Sequence, residues 1–220
     1  EEVTGGILVE GYGLTETSPV ALGNPMTTDR RPGHLGVPFP STTMRVVDPE
    51  APTREVPPGE RGELLVSGPQ VFDGYWQHPD DTAAVLVEID GRTWLRTGDV
   101  VVVEEGGFVR LVDRIKEVIV TGGYNVYPSQ VEDLLREMPE IDDVAVVGVP
   151  GGDIGEKVVA AIVLAEGVTK VEMSAVRAWS EQRLARYAHP RELIVLPELP
   201  RSQIGKVLRR VVRQQVLDKD

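Results

Sequence analysis

The residues best equipped for chemistry fall in five short runs. The first, Glu10-Gly11-Tyr12-Gly13-Leu14-Thr15-Glu16-Thr17-Ser18-Pro19, sets two glycines around an aromatic ring and follows them with a hydroxyl and a carboxylate. Glycine lets a backbone approach a ligand closely. Tyr12 offers a flat apolar face with a polar tip, suited to stacking on a base. Thr15 can donate to a phosphate oxygen, and Glu16 is a hard oxygen ligand for Mg²⁺. These parts suit a nucleotide with its metal. The plainer alternative is a tight turn with incidental polar groups, and the run fails the dinucleotide fingerprint because Glu16 stands where the third glycine belongs.

The other four runs each carry a functional and a plain alternative. Thr97-Gly98-Asp99, at the end of a strand, could offer a carboxylate to both ribose hydroxyls, or it is an ordinary turn with a solvated Asp. In Asp113-Arg114-Ile115-Lys116, Arg114 could reach a ribose or phosphate and Lys116 could sit where backbone torsion changes. Charges at such a junction are otherwise a solvated linker. Gly122-Gly123-Tyr124-Asn125 permits close approach to a slender ligand, or it is a hairpin turn. Pro200 to Arg209 looks like half of a phosphate loop, but the required first glycine is missing, which excludes a P-loop. A lysine there, Lys206, could still deliver a point charge to a developing anion. A surface lysine at a helix start is the alternative, mildly disfavoured beside the positive end of the dipole.

The elements that must position these groups are short. Met44 to Val47, Glu63 to Ser67 and Trp94 to Leu95 read as strands, and Val100 to Val103 with Phe108 to Val112 as a hairpin, a spacing that suggests a small barrel or sandwich. After Asp113 the texture changes. Glu117 to Thr121 is β-rich, and Ser129-Gln130-Val131-Glu132 reads as a capping box ahead of Val131, Leu134, Leu135 and Met138 at helical spacing. Val144 to Val149 and Val158 to Leu164 read as buried strands, Leu193 to Leu196 as another, with helices over Val171 to Ala185 and Val207 to Val216. That alternation predicts a compact α+β domain. A chain of 220 residues with 41% hydrophobic content has ample length for a core. Its net charge of -12 argues against nucleic acid as a partner. The absence of cysteine excludes disulfides, thiol catalysis and zinc–thiolate sites, and fits a reducing, cytoplasmic setting. The three histidines are scattered, so a histidine metal centre is not expected. No apolar run reaches membrane-spanning length.

Together the runs resemble one family: the adenylate-forming superfamily of acyl-CoA synthetases, non-ribosomal adenylation domains and firefly-type luciferases. Within it the chain looks most like a long-chain fatty-acid–CoA ligase. The resemblance rests on Glu10 to Pro19, Asn24-Pro25, Gly68-Pro69-Gln70-Val71 with Gly74-Tyr75-Trp76, Trp94 to Asp99, and Tyr124-Asn125-Val126-Tyr127-Pro128. It implies Mg-ATP activation of a fatty acid to an acyl-adenylate, then transfer to CoA. It also implies roles. Gly11, Tyr12, Gly13, Thr15, Asp99 and Arg114 would bind nucleotide, with Tyr12 against adenine and Asp99 on the ribose. Glu16 would hold Mg²⁺, and Lys206 would be the catalytic lysine of the first half-reaction. Lys116 would be the hinge, and Gly122, Gly123 and Tyr124 would line the CoA tunnel. The expected organisation is a remnant of the large domain over 1–35, a β-barrel subdomain over 36–113, a hinge at 114–116 and a mobile α+β domain over 117–220.

The family's Ser/Thr/Gly-rich phosphate loop and its acyl-pocket segments are not found in this chain, and both are expected upstream of Glu1. The resemblance therefore implies the C-terminal portion of a longer ligase, inactive alone. Ala188 stands where relatives commonly carry a lysine. Two alternatives remain open: a fatty acyl-AMP ligase loading a carrier protein, and a non-catalytic nucleotide-binding fragment. The first carries an insertion near the junction, which the direct passage from Asp113-Lys116 into Glu117 lacks. Peripheral membrane contact stays open, although no amphipathic basic stretch demands it.

Overall fold

A computed structural model describes residues 5–203 and 205–219. The chain divides into two compact units, Glu1–Ile115 and Lys116–Asp220. The overall class is α+β.

The first unit opens with three two-residue strands, β1 (Gly11–Tyr12), β2 (Leu22–Gly23) and β3 (Val37–Pro38), paired antiparallel in that order. A larger antiparallel sheet follows: β4 (Thr43–Asp48), β5 (Ala51–Glu55), β6 (Arg61–Ser67), β7 (Leu86–Ile89), β8 (Arg92–Val103) and β9 (Val109–Arg114), in the order β5-β4-β6-β8-β7 with β9 also on β8. A short helix, α1 (Pro79–Val85), precedes β7 and went unforeseen in the sequence. The sheet curls into a nearly closed barrel. Gly36 bridges Val109, and Gly59 N–H donates to Val103 O at 3.0 Å.

Strand β6 shows why. Its residues alternate between two apolar clusters, Leu64 and Val66 with Leu22, Val101 and Val109, and Leu65 with Val47, Ile89 and Trp94. A strand buried on both faces needs an unbroken apolar run, which Leu64-Leu65-Val66 supplies. Glycine at 13 serves packing within the unit. A Cβ there would lie 1.7 Å from Pro19 O, so the chain's own backbone, rather than a ligand, claims that close approach.

The second unit begins with the hairpin β10 (Ile119–Thr121) and β11 (Tyr124–Val126). Helix α2 (Pro128–Arg136), β12 (Ile141–Pro150), β13 (Glu156–Leu164), α3 (Met173–Ser180), β14 (Glu192–Val195) and α4 (Arg209–Leu217) complete it. Strand β13 pairs antiparallel with β12 and parallel with β14. Val144, Val146, Val158, Ala160 and Ile162 face α2 and α3, while Ala145, Val147, Val159 and Ala161 face α4. Helices on both faces bury alternate side chains, which accounts for the β-branched runs.

Three local expectations are corrected. Helix α2 starts at Pro128 with Tyr127 as its cap residue and no side-chain cap, so Ser129 and Glu132 do not form a capping box. Their polar groups are drawn into a network described below. The expected helix from Val171 to Ala185 spans only Met173–Ser180, followed by a 3-10 turn at Arg186–Ala188. Thr97-Gly98-Asp99 does not end a strand but lies inside the twelve-residue β8.

Candidate functional site

The interruption of β8 is where the first cluster of functional groups forms. Glu63 pairs with Val100 and Leu65 with Arg96, so two steps along β6 face four along β8, and Thr97, Gly98 and Asp99 bulge from the ladder. Such bulges re-aim side chains. Here the bulge is fastened from below. Glu63 is 1% exposed; it accepts Gly98 N–H at 3.2 Å and pairs with Arg96 at 2.6 Å. Thr97 Oγ1 donates to Leu64 O at 2.8 Å and accepts Asp99 N–H at 3.1 Å. Glu63 and Thr97 were missed as positioning residues. A lone carboxylate inside the apolar run Gly62 to Val66 was the available signal.

Asp99 is 1% exposed. Tyr12 Oη, 87 residues away in sequence, donates to its Oδ2 at 2.6 Å. Burial, reinforced by the Asp99 charge and hydrogen bond, pushes the Tyr12 phenol well above its ordinary value and keeps it a donor. The Tyr12 ring packs on the Leu22–Val101 cluster. Asp99 Oδ1 has no aligned hydrogen-bond partner, although Arg114 Nε lies 3.0 Å away across the β8–β9 register pair. A buried carboxylate oxygen left without a hydrogen bond is costly, and a ligand hydroxyl would relieve that. The structure thus brings Tyr12, Asp99 and Arg114 together.

Glu16 lies in the 3-10 turn Thr15–Thr17. Buried Thr17 braces the turn, its Oγ1 accepting Leu14 N–H at 2.8 Å. Thr15 is exposed, with Gly11 and Gly13 also at the surface. Glu16 Oε1 accepts a 2.5 Å hydrogen bond from Tyr75 Oη. That bond, ahead of burial and charge, pushes the Tyr75 phenol up to about 12. Among the described residues no group of three or more His, Cys, Asp or Glu could hold a metal. Glu16 alone would offer a Mg²⁺ ion one of the one or two carboxylates it usually takes.

The remaining candidates belong to the second unit. Lys116 is exposed in the 3-10 turn Ile115–Glu117, at the boundary between the units. Gly122 and Gly123, with φ of +56° and +80°, form the two-residue turn of the β10–β11 hairpin, as Asn-Gly pairs do elsewhere. Tyr124 stacks on Tyr187 with centroids 4.4 Å apart and planes 8° apart. Ala188 is buried in the core of the unit.

Lys206 sits in an exposed loop closed by an Arg201–Val207 bridge. Ser202 N–H donates to Lys206 O at 2.8 Å, and Arg201 donates to Gly205 O at 2.6 Å while pairing with Asp143. The Lys206 ammonium has no partner among the described residues. Three residues later, Arg209 binds Glu132 through Nε at 2.8 Å and Nη2 at 2.7 Å, reaches Ser129 at 2.9 Å and pairs with Glu117. Glu132 also accepts Val146 N–H at 2.8 Å. This network uses the Ser129 and Glu132 side chains that a capping box would have required.

Residues 1–76 match the family described as AMP-binding enzyme, and residues 130–206 match the AMP-binding enzyme C-terminal domain. The chain belongs to the AMP-binding enzyme family. A long-chain-fatty-acid–CoA ligase from Escherichia coli O6:H1 is 44% identical over 99% of this chain and 37% of its own length. One from Bacillus subtilis is 46% identical over 96% of this chain and 36% of its own length. Among solved structures, ATP-bound MatB from Rhodopseudomonas palustris superposes with a TM-score of 0.88 at 37% identity, covering 98% of this chain and 42% of that one. The chain thus spans little more than a third of the length of these curated relatives. Among the described residues no helix is long and apolar enough to cross a membrane.

Proposed function

We propose that this AMP-binding chain is the C-terminal portion of an AMP-forming long-chain fatty-acid–CoA ligase. The observation that carries the reading is the Asp99 carboxylate, nearly buried, with Oδ1 beside Arg114 Nε yet without an aligned hydrogen bond and its other oxygen fixed by Tyr12. A vicinal diol presents two donors, and a carboxylate so oriented accepts both. Asp99 then binds the ATP ribose, with Arg114 alongside, and Tyr12 places its ring against adenine. Thr15, on the glycine-flanked run with Gly11 and Gly13, contacts phosphate.

Glu16 holds Mg²⁺, which when bound offsets phosphate charge. Lys206 neutralises charge as the fatty-acid carboxylate attacks the α-phosphorus, where two anions otherwise repel. An unpaired ammonium on a loop suits that delivery. Lys116 is the pivot, after which the Gly122-Gly123 turn and Tyr124 line the path of the CoA thiol in the second half-reaction. The 37% share of its relatives' length supports assigning the phosphate loop and acyl pocket to the rest of a longer enzyme.

The test supplies the full-length protein containing this chain with ATP, Mg²⁺, a long-chain fatty acid and CoA. Acid-dependent pyrophosphate release followed by acyl-CoA formation is the expected result. Transfer to a carrier protein in preference to CoA would overturn the acceptor assignment. Pyrophosphate release by the 220-residue chain alone would overturn its assignment as an incomplete catalyst.

A further inference from the structure

Gly74-Tyr75-Trp76 belongs to none of the roles assigned above, yet Tyr75 makes the shortest hydrogen bond to any of the candidate site carboxylates. We propose that Tyr75 is a positioning residue for the metal-binding carboxylate of Glu16, an inference that rests on the assignment of Glu16 to Mg²⁺.

The two residues are 59 positions apart, and two hydrogen bonds join their segments. Tyr75 Oη donates to Glu16 Oε1 at 2.5 Å, and Phe72 N–H donates to Glu16 O at 2.9 Å. The 72–75 segment therefore grips both the backbone and the side chain of Glu16. Its own geometry is secured from α1. Thr82 Oγ1 accepts Tyr75 N–H at 2.9 Å and donates to His78 O at 2.9 Å. The Tyr75 ring sits edge-on to Phe72, centroids 4.9 Å apart at 72°. A side chain at Gly74 would press on Thr82, its Cβ 2.6 Å from Cγ2.

A free glutamate on a 3-10 turn samples several rotamers, and a cation must then supply the ordering entropy. With Oε1 tied to a phenol that is itself braced, Oε2 is left to the cation. The phenol is the donor, so the bond takes up one acceptor oxygen of the carboxylate and leaves the other. Partners of this kind set metal affinity without touching the metal, and their loss costs about 10- to 100-fold.

The experiment uses the full-length ligase and titrates Mg²⁺ at fixed ATP, reading acid-dependent pyrophosphate release. Tyr75→Phe keeps the ring on Phe72 and removes only the hydroxyl. It is expected to raise the half-saturating Mg²⁺ by about tenfold or more, a larger change than its loss of rate at saturating Mg²⁺. Thr82→Val should shift the requirement in the same direction by less. Glu16→Gln should shift it at least as far as Tyr75→Phe, and the double variant no further than Glu16→Gln alone. A normal Mg²⁺ requirement in Tyr75→Phe alongside a shifted one in Glu16→Gln would overturn the Tyr75 inference and leave the Glu16 assignment standing. A normal requirement in Glu16→Gln would remove the assignment on which the inference rests.

Discussion

In the first unit Tyr12, Asp99 and Arg114 stand on strands, whereas in the second unit the candidate groups ride on turns and a loop. Asp99 is nearly buried in a bulge that Glu63, Thr97 and Tyr12 hold from several sides. Lys206 is exposed, and only its backbone is fastened, through Ser202 and the Arg201–Val207 bridge. The contrast fits the tasks proposed for these groups. A site that recognises a ground-state ligand gains from groups already in place, because little ordering is then left to binding. A cation that acts in one half-reaction and withdraws in the next must sit on something movable. The second unit is nevertheless rigid just behind the loop, where Arg209 joins Glu132, Ser129 and Glu117. Rigid support beneath a mobile group lets it arrive in one geometry.

That comparison can be broken at four points. Lys206→Ala in the full-length enzyme should lower the rate of adenylate formation by roughly 10²–10³-fold. It should leave the melting temperature unchanged, since the ammonium has no hydrogen-bond or ion-pair partner among the described residues. A normal rate of pyrophosphate release would remove the catalytic assignment. Glu132→Ala should do the reverse within the same unit. The variant removes two charge-assisted hydrogen bonds from Arg209, which keeps Glu117 and Ser129, and takes the Glu132 acceptor from the buried Val146 N–H, and destabilisation by about 3 kcal/mol is expected in denaturant unfolding. A change below about 1 kcal/mol would show that the network is not what stiffens the base of the loop.

Asp99→Asn tests the embedded site. Losing a charge-assisted acceptor should raise the KM for ATP by about tenfold or more, with the first half-reaction more affected than thioester formation from preformed adenylate. An unchanged KM would leave Asp99 as a strand-internal structural group. The smallest effect is expected from Gly122→Ala. Its φ of +56° is strained for alanine, at a cost of about 1 kcal/mol, while no atom lies within 4 Å of the added methyl. Thioester formation should slow while adenylation holds. Equal slowing of both would argue against a role for this turn in the second step alone.

Much of the architecture was legible residue by residue. The run Leu64-Leu65-Val66 reads as a strand because alternate side chains meet two clusters, and Val144 to Val149 does so for the same reason. The Gly122-Gly123 turn reads correctly as a hairpin because two consecutive positive φ values demand it. Caps and ends were less legible. Ser129 and Glu132 have the spacing of a capping box, but the Arg209 guanidinium, 77 residues beyond Glu132, offers two charge-assisted hydrogen bonds instead. Local propensity gave way to a stronger distant partner. Thr97-Gly98-Asp99 has the composition of a turn and becomes a bulge only because β6 and β8 continue past it on both sides.

What the sequence determined by itself was the inventory and the class: a glycine-flanked Tyr12-Thr15-Glu16 run, Asp99, Arg114 and Lys206 in an order resembling adenylate-forming enzymes, on alternating short strands and helices. Those features are local, set by residue type and by spacings of a few positions. Tertiary structure alone decided which groups meet. Tyr12 reaches Asp99 across 87 residues, and Tyr75 reaches Glu16 across 59. The first meeting depends on strand register, and a shift of one residue along β8 would turn Asp99 to the opposite face, while the second depends on the loop before α1 folding back onto the Thr15–Thr17 turn.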